Sequence, residues 1–249
     1  MLYGSELARV ETSVLEIDVL NQDEMNEIDR RQIRQQAEWK AIPEEGLVTM
    51  FLGTELVVLP GVFPPKADSA LLAEGLRLEG VKNVLDLGTG TGALAIWAAQ
   101  RGVASVVAVD ISDAAVRNAK RNVERLGLRS RIDVRLGSGF DSVAESESFD
   151  VILANLPGRN KRADDETSAA QWDTEFRAHR ALLAGAKSRL RPGGFIYMVK
   201  ANYPDLLEFG SLAEADGYEV AVVDKSTPVD GDPRRYYVLS LSLANKLDV

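Results

Sequence analysis

The 249-residue chain has no cysteine and a single histidine, His179. Without thiols there can be no disulfide framework, no thiolate nucleophile and no cysteine-ligated zinc or iron–sulfur site. One histidine leaves little material for a Ser-His-Asp triad or a multi-histidine cage, so no metal centre is expected. No apolar run approaches the roughly 20 residues of a membrane span. The N-terminus, MLYGSELARVETSVLE, lacks the basic-then-apolar pattern of a secretory leader. These absences point to a soluble, cytoplasmic protein. A surplus of positive charge is missing too, with 29 basic side chains against 38 acidic ones. Residues 1–45 hold 11 acidic and 5 basic side chains, so the acid excess concentrates there and the remainder is close to neutral. Attraction of the whole molecule to phosphate backbones is therefore disfavoured.

What is present is regular. Residues 5–40 have helix-forming composition, with Leu7, Val10, Val14, Ile17 and then Met25, Ile28 and Ile33 at near-helical spacing, closed by Pro43. LVTMFLGTELVVL reads as a hairpin over about 47–59, with Gly53-Thr54 as a type II′ turn. The segment PGVFPPKADSALLAEGL breaks into Pro and Gly before turning helical, with Asp68 or Ser69 as a possible N-cap. From residue 83 onward, apolar runs alternate with helical stretches at about 92–100, 112–126, up to 190, and 204–216. Strands of continuous apolar character, each followed by a helix, indicate a mostly parallel sheet covered on both faces. The last two runs, YEVAVVDK and RRYYVLSLSL, have no helix between them and pair as antiparallel strands. The expected division is an N-terminal helical segment and hairpin over 1–60, followed by the α/β domain over 61–249.

The most informative stretch is VLDLGTGTGALAIWAA, residues 84–99. A buried strand carrying Asp86 leads into a loop with Gly88, Thr89, Gly90 and Gly92, and a helix follows at once. Glycines here permit positive φ and close approach of a ligand to backbone. The spacing is G-x-G-x-G rather than the G-x-G-x-x-G of dinucleotide sites, and a carboxylate precedes it. A pyrophosphate would be repelled there, whereas a cationic amino-acid ligand would not. The next strand ends VVAVD, placing Asp110 22 positions after Gly88, near the offset of an acid that holds ribose hydroxyls. Together they describe a nucleoside-bearing ligand without phosphates.

The run VLDLGTGTGALAI followed by VVAVDIS resembles the S-adenosylmethionine site of class I methyltransferases. The resemblance implies a seven-stranded Rossmann-like sheet, mostly parallel with one antiparallel strand and helices on both faces. It implies that Asp86 and the backbone of 88–92 face the methionine part of S-adenosylmethionine, and that Asp110, followed by Ile111, holds the ribose. Ser138, Gly139 and Phe140 would contact adenine, although the family often has an acid where this chain has Ser138, and Asp141 could substitute. FDVILANLPGR, residues 149–159, resembles the Asn-Pro-Pro-aromatic motif of enzymes that methylate planar nitrogen, with Asn155-Leu156-Pro157-Gly158 closer to an Asn-Leu-Pro variant. A delocalised nitrogen lone pair attacks poorly unless its N–H groups are held by acceptors. The Asn155 side-chain oxygen and Leu156 carbonyl can supply these, and Pro157 sets the chain direction. Gly158 replaces the usual aromatic, so stacking would fall to Phe63 or Trp172.

GVFPPKADSALLAEGL is similar to the Pro-rich segment of HemK-like, release-factor glutamine methyltransferases, which also carry an N-terminal helical domain and a hairpin. The likeness implies that Phe63, Pro64, Pro65, Asp68 and Ser69 line the pocket. Arg159, with Lys161 and Arg162, would greet an acidic substrate, or belong to an ordinary loop. The basic run Arg117 to Arg135 reads as a solvated face, because no aromatics interleave. His179 is expected on a helix surface beside the site. The expected activity is N-methylation of an amide or amine in a protein or small molecule. An RNA or DNA base methylase and a non-catalytic cofactor-binding regulator remain alternatives.

Overall fold

The computed structural model describes residues 17–227 and 231–244. The predicted helical positions Leu7, Val10 and Val14 lie outside them. Helix α1 (Gln22–Lys40) starts at a capping box: the Asn21 side chain accepts from the backbone of Asp23 and Glu24, and the Glu24 carboxylate accepts from Asn21 N–H. Its buried stripe is Met25, Ile28, Gln32, Gln36 and Trp39. Strands β1 (Leu47–Phe51) and β2 (Thr54–Val58) form the expected hairpin. Its turn is Leu52-Gly53, with φ of 45° and 84°, because Phe51 pairs directly with Thr54. Two positive φ values mark a type I′ turn, which corrects the type II′ reading.

Seven strands make the main sheet: β3 (Asn83–Leu87), β4 (Ser105–Asp110), β5 (Ile132–Leu136), β6 (Phe149–Ala154), β7 (Leu190–Ala201), β8 (Tyr218–Lys225) and β9 (Tyr236–Leu243). Their order is β5-β4-β3-β6-β7-β9-β8, with β9 antiparallel to both neighbours and the other pairs parallel. The runs are apolar without alternation because both faces are covered. Val84, Val106 and Leu153 pack in one layer with Ile96, and Leu85, Val107 and Ile152 in the other with Phe209. The former layer includes helix α3 (Ala93–Gln100), the latter helix α7 (Asp205–Ala215). Helix α4 (Asp113–Arg125) carries Asn118 and Asn122, whose amides accept from and donate to the backbone of β2 and so seat the hairpin on the sheet layer.

Two local readings are corrected. The helix expected to run unbroken to about 190 is instead α5 (Glu166–Ala169), a 3₁₀ turn at Thr174–Phe176, and α6 (Arg177–Ala186). The interruption occurs where Asp173 N–H donates to Arg159 O at 2.7 Å and Glu175 and Phe176 adopt positive φ. Helix α2 (Ala67–Glu74) is N-capped by Lys66 without a side-chain bond, so neither Asp68 nor Ser69 is the cap. The order of strands reverses between β3 and its neighbours β4 and β6, which opens a crevice at their carboxyl ends.

Candidate active site

The loop after β3 is built on left-handed glycines: Gly88, Gly90 and Gly92 have φ of 75°, 55° and 83°. Gly88 and Thr89 N–H both donate to Val109 O, at 2.8 and 3.0 Å, which ties the loop to the end of β4. Asp110, at that end, accepts from Gly90 N–H on one carboxylate oxygen and from Ser112 N–H on the other, both at 2.9 Å. Burial raises its pKa. Each oxygen keeps acceptor capacity toward the crevice, as a pair of hydroxyls would require.

Asp86 sits beneath this loop. One oxygen accepts Thr89 Oγ1 at 2.6 Å and Ala95 N–H at 3.1 Å; the other, Oδ1, is buried without a partner among the described residues. Burial pushes its pKa up to about 6, with the Asp110 charge adding to the effect and the two hydrogen bonds opposing it. A buried carboxylate with an orphaned oxygen is a local cost to folding. It stands where a cation would be favoured.

A cavity of about 760 Å³ opens at the carboxyl ends of the strands. Of the sequence candidates it is lined by Gly88, Thr89, Gly90, Asp110, Ile111, Ser138 and Gly139 on one side. On the other it is lined by Asn155, Leu156, Pro157, Phe63, Pro65, Asp68 and Ser69. Asp86 and Gly92 do not line it: the carboxylate is turned under the loop, and Gly92 lies against Ala119 of α4. Pro64 and Asp141 are not part of the wall either. Phe140 is a correction, because its ring packs on Gly185 of α6, where a Cβ would collide with it, and it contributes to the core instead of the wall.

Arg159 is a second correction. Its side chain, only 12% exposed, pairs with Asp29 of α1 at 2.7 Å and Asp205 of α7 at 3.2 Å, and Lys161 pairs with Asp29 at 3.0 Å. Neither cation is free for a substrate; Arg159 ties the loop after β6 to both helices, and Lys161 ties it to α1. Most of the basic run is occupied as well, with Arg117, Arg125, Arg129 and Arg135 in ion pairs.

Asn155 is held in one orientation. Its Nδ2 donates to Asp68 Oδ2 at 3.2 Å and to Ser69 Oγ at 3.0 Å. A carboxylate only accepts, so the nitrogen must face α2 and the oxygen is left for the cavity. Of the two aromatics expected to stack, Phe63 meets Trp39 edge-on at 5.0 Å and Trp172 is bonded through its indole N–H to Gln32 at 2.9 Å.

His179 is not on the surface. It is fully buried, with Nδ1 2.6 Å from Asp173 Oδ2 and Nε2 2.9 Å from Lys200 Nζ. Burial first, then the nearby Lys200 charge, push its pKa down to about 4, which keeps the ring neutral. The helical periodicity of WDTEFRAHRALLAGAKSRL concealed this, because Asp173, six positions earlier, reaches the ring only where the helix is broken, and Lys200 comes from β7. Sequence reasoning also missed Gln32, Tyr203 and Tyr236 on the cavity wall. The glutamine interrupting the apolar stripe of α1 was the available signal.

The description methyltransferase small domain matches residues 53–220, about two thirds of the chain. The chain belongs to the methyltransferase small domain family. Among curated relatives, a release factor glutamine methyltransferase of Cereibacter sphaeroides is 35% identical over 160 residues, covering 58% of this chain and 56% of its own length. A tRNA1(Val) (adenine(37)-N6)-methyltransferase of Vibrio vulnificus is 32% identical over 192 residues, covering 73% of this chain and 77% of its own. This chain thus spans little more than half of the release-factor relative. Among solved structures, a T. thermophilus 16S rRNA N2 G1207 methyltransferase in complex with AdoMet and guanosine superposes with a TM-score of 0.58 at 26% identity, covering 80% of this chain and 50% of that one. The seven-stranded, mostly parallel sheet is the Rossmann-like methyltransferase fold.

Proposed function

We propose that this chain is an S-adenosylmethionine-dependent N-methyltransferase acting on a planar nitrogen, an amide or amine of a protein or small molecule. The fit of the cofactor rests on the donor set. Left-handed Gly88 and Gly90 bring backbone to the cavity wall, and a Cβ on Gly88 would come within 3.1 Å of Leu156. Asp110 offers acceptors for ribose hydroxyls, while Asp86 and Asp110 favour a cationic ligand and disfavour a diphosphate. Residues Gly88 to Thr91, Asp110, Ile111, Ser138 and Gly139 would hold the cofactor, which supplies an electrophilic methyl group when bound.

The rest is the work of the chain's own residues. The Asn155 oxygen and Leu156 carbonyl accept the N–H groups of the acceptor and turn its lone pair toward the cofactor side of the cavity. Pro157, directly after them, fixes the chain direction. Catalysis is positioning in a partly closed pocket, with no strong base at the nitrogen. The single observation that carries this reading is the locked Asn155 amide, whose orientation leaves an acceptor in the same cavity as the glycine loop. We assign residues 1–60 as a cover over the acceptor end, supported by the Arg159 and Lys161 pairs to Asp29.

Asn155→Ala should lower methyl transfer by about 10²-fold or more while leaving cofactor affinity nearly unchanged, the pattern of a contact needed only in the transition state. Incubation with labelled methyl donor and fractionated cell extract reports whether label enters protein, small molecules or RNA. Loss of cofactor binding with unchanged turnover would overturn the assignment. The RNA-base reading is favoured by one observation, the aromatic wall of Phe63, Tyr203 and Tyr236. Label in RNA would decide for it. Cofactor binding without S-adenosylhomocysteine formation would mark a regulator.

A further inference from the structure

The buried stripe of α1 is apolar at Met25 and Ile28 and then changes to Gln32 and Gln36. Gln36 has a partner, donating to Gln171 Oε1 at 3.0 Å. Gln32 is different. It is 4% exposed, lines the cavity, and its Oε1 accepts the indole N–H of Trp172 at 2.9 Å. Indole nitrogen can only donate, so the glutamine oxygen must face Trp172 and the Nε2 amide must face away. That nitrogen carries two N–H groups with no partner among the described residues. Gln32 lines the same cavity as Asn155, so this donor is available there to a ligand.

The two amides are therefore set in opposite senses. Asn155 is held by Asp68 and Ser69 so that it presents an acceptor; Gln32 is held by Trp172 so that it presents a donor. We propose that Gln32 is a specificity-determining residue that reads a hydrogen-bond acceptor conjugated to the nitrogen held by Asn155. The substrate group is then an amino group joined to a carbonyl oxygen or a ring nitrogen, as in a primary carboxamide or the edge of an aminopurine. A simple alkyl amine lacks the second feature. This inference rests on the methyltransferase reading and adds the chemistry of its acceptor.

The test uses the full chain saturated with S-adenosylhomocysteine, with the three indole resonances followed by 15N NMR. The probes are N-acetylglutamine N-methylamide, adenosine and n-butylamine. The expected result is a shift of the Trp172 indole signal with the carboxamide or the nucleoside, and none with butylamine. The responding probe identifies which source of the chemistry applies. Gln32→Glu keeps an oxygen for Trp172 but removes the donor. It should weaken the responding probe at least 10-fold and leave S-adenosylhomocysteine affinity, measured by calorimetry, within about 3-fold. A merely structural Gln32 would give a Glu variant that binds the probe like the parent. That outcome, or a butylamine response equal to the others, or no response to any probe, overturns the inference while leaving the cofactor reading intact. Failure of the parent chain to bind S-adenosylhomocysteine overturns the methyltransferase reading itself. Gln32→Met, which also loses the Trp172 bond, serves if the Glu variant does not fold.

Discussion

Asp86 ties the cofactor loop to the cost of burying charge, and Asp86→Asn separates the two. The folded-state pKa of this carboxylate lies at about 6, above the 3.8 of the exposed group. Raised in the fold, it favours folding when protonated, so its contribution is fully present below the unfolded value and is lost as pH rises through about 6. Near 1.4 kcal/mol per unit, that loss is roughly 3 kcal/mol at pH 7. Asparagine can still accept Thr89 Oγ1 and Ala95 N–H with its oxygen, but its NH₂ takes the place of the unpartnered Oδ1 and costs about 1–3 kcal/mol. The variant should therefore be as stable as the parent at pH 7 or up to about 2 kcal/mol more stable. The advantage should shrink by roughly 2–2.5 kcal/mol by pH 4, where the folded-state carboxyl is neutral. Urea denaturation of both proteins at pH 7, 5.5 and 4 measures this. On the proposed cofactor placement, the same variant should bind S-adenosylmethionine more weakly, since a negative charge beneath the glycine loop is lost. A stability difference independent of pH would show that Asp86 is ionised at no net cost, and the argument that this charge is kept for its ligand would fail.

Two further outcomes are expected. Lys200 is fully buried, and desolvation lowers its pKa to about 8, partly offset by Asp205 and Asp173; a base depressed in the fold gains stability as pH rises. Relative to Lys200→Met, the parent should gain roughly 2–3 kcal/mol between pH 7 and 10.5, measured by denaturant unfolding, and a flat difference would mean the lysine keeps its charge. Gly185→Ala should cost about 1–3 kcal/mol in thermal or urea unfolding through collision with the Phe140 ring, since a loop residue can shift in part. No loss would show that Phe140 is not wedged there.

The glycine loop was legible because its function is local: three glycines and two strand-end carboxylates lie within 25 residues, and their spacing states what the backbone must do. The parallel sheet was legible for a similar reason, since strands buried on both faces read as unbroken apolar runs. Phe140 and Arg159 were misread because proximity in sequence to a motif does not set side-chain direction. Phe140 turned to a notch left by Gly185, and Arg159 to acids supplied by α1 and α7. The hairpin turn slipped by one residue because strand register, set by pairing, chose Leu52-Gly53.

Periodicity and motif spacing, which depend only on near neighbours along the chain, determined the alternating fold, the glycine loop after β3 and the asparagine that follows β6. Contacts between segments far apart along the chain decided the rest. Trp172 orients Gln32 across 140 positions, and Asp68 and Ser69 orient Asn155 across 87 and 86. An amide has a donor end and an acceptor end, and only its partners in space say which one a ligand meets.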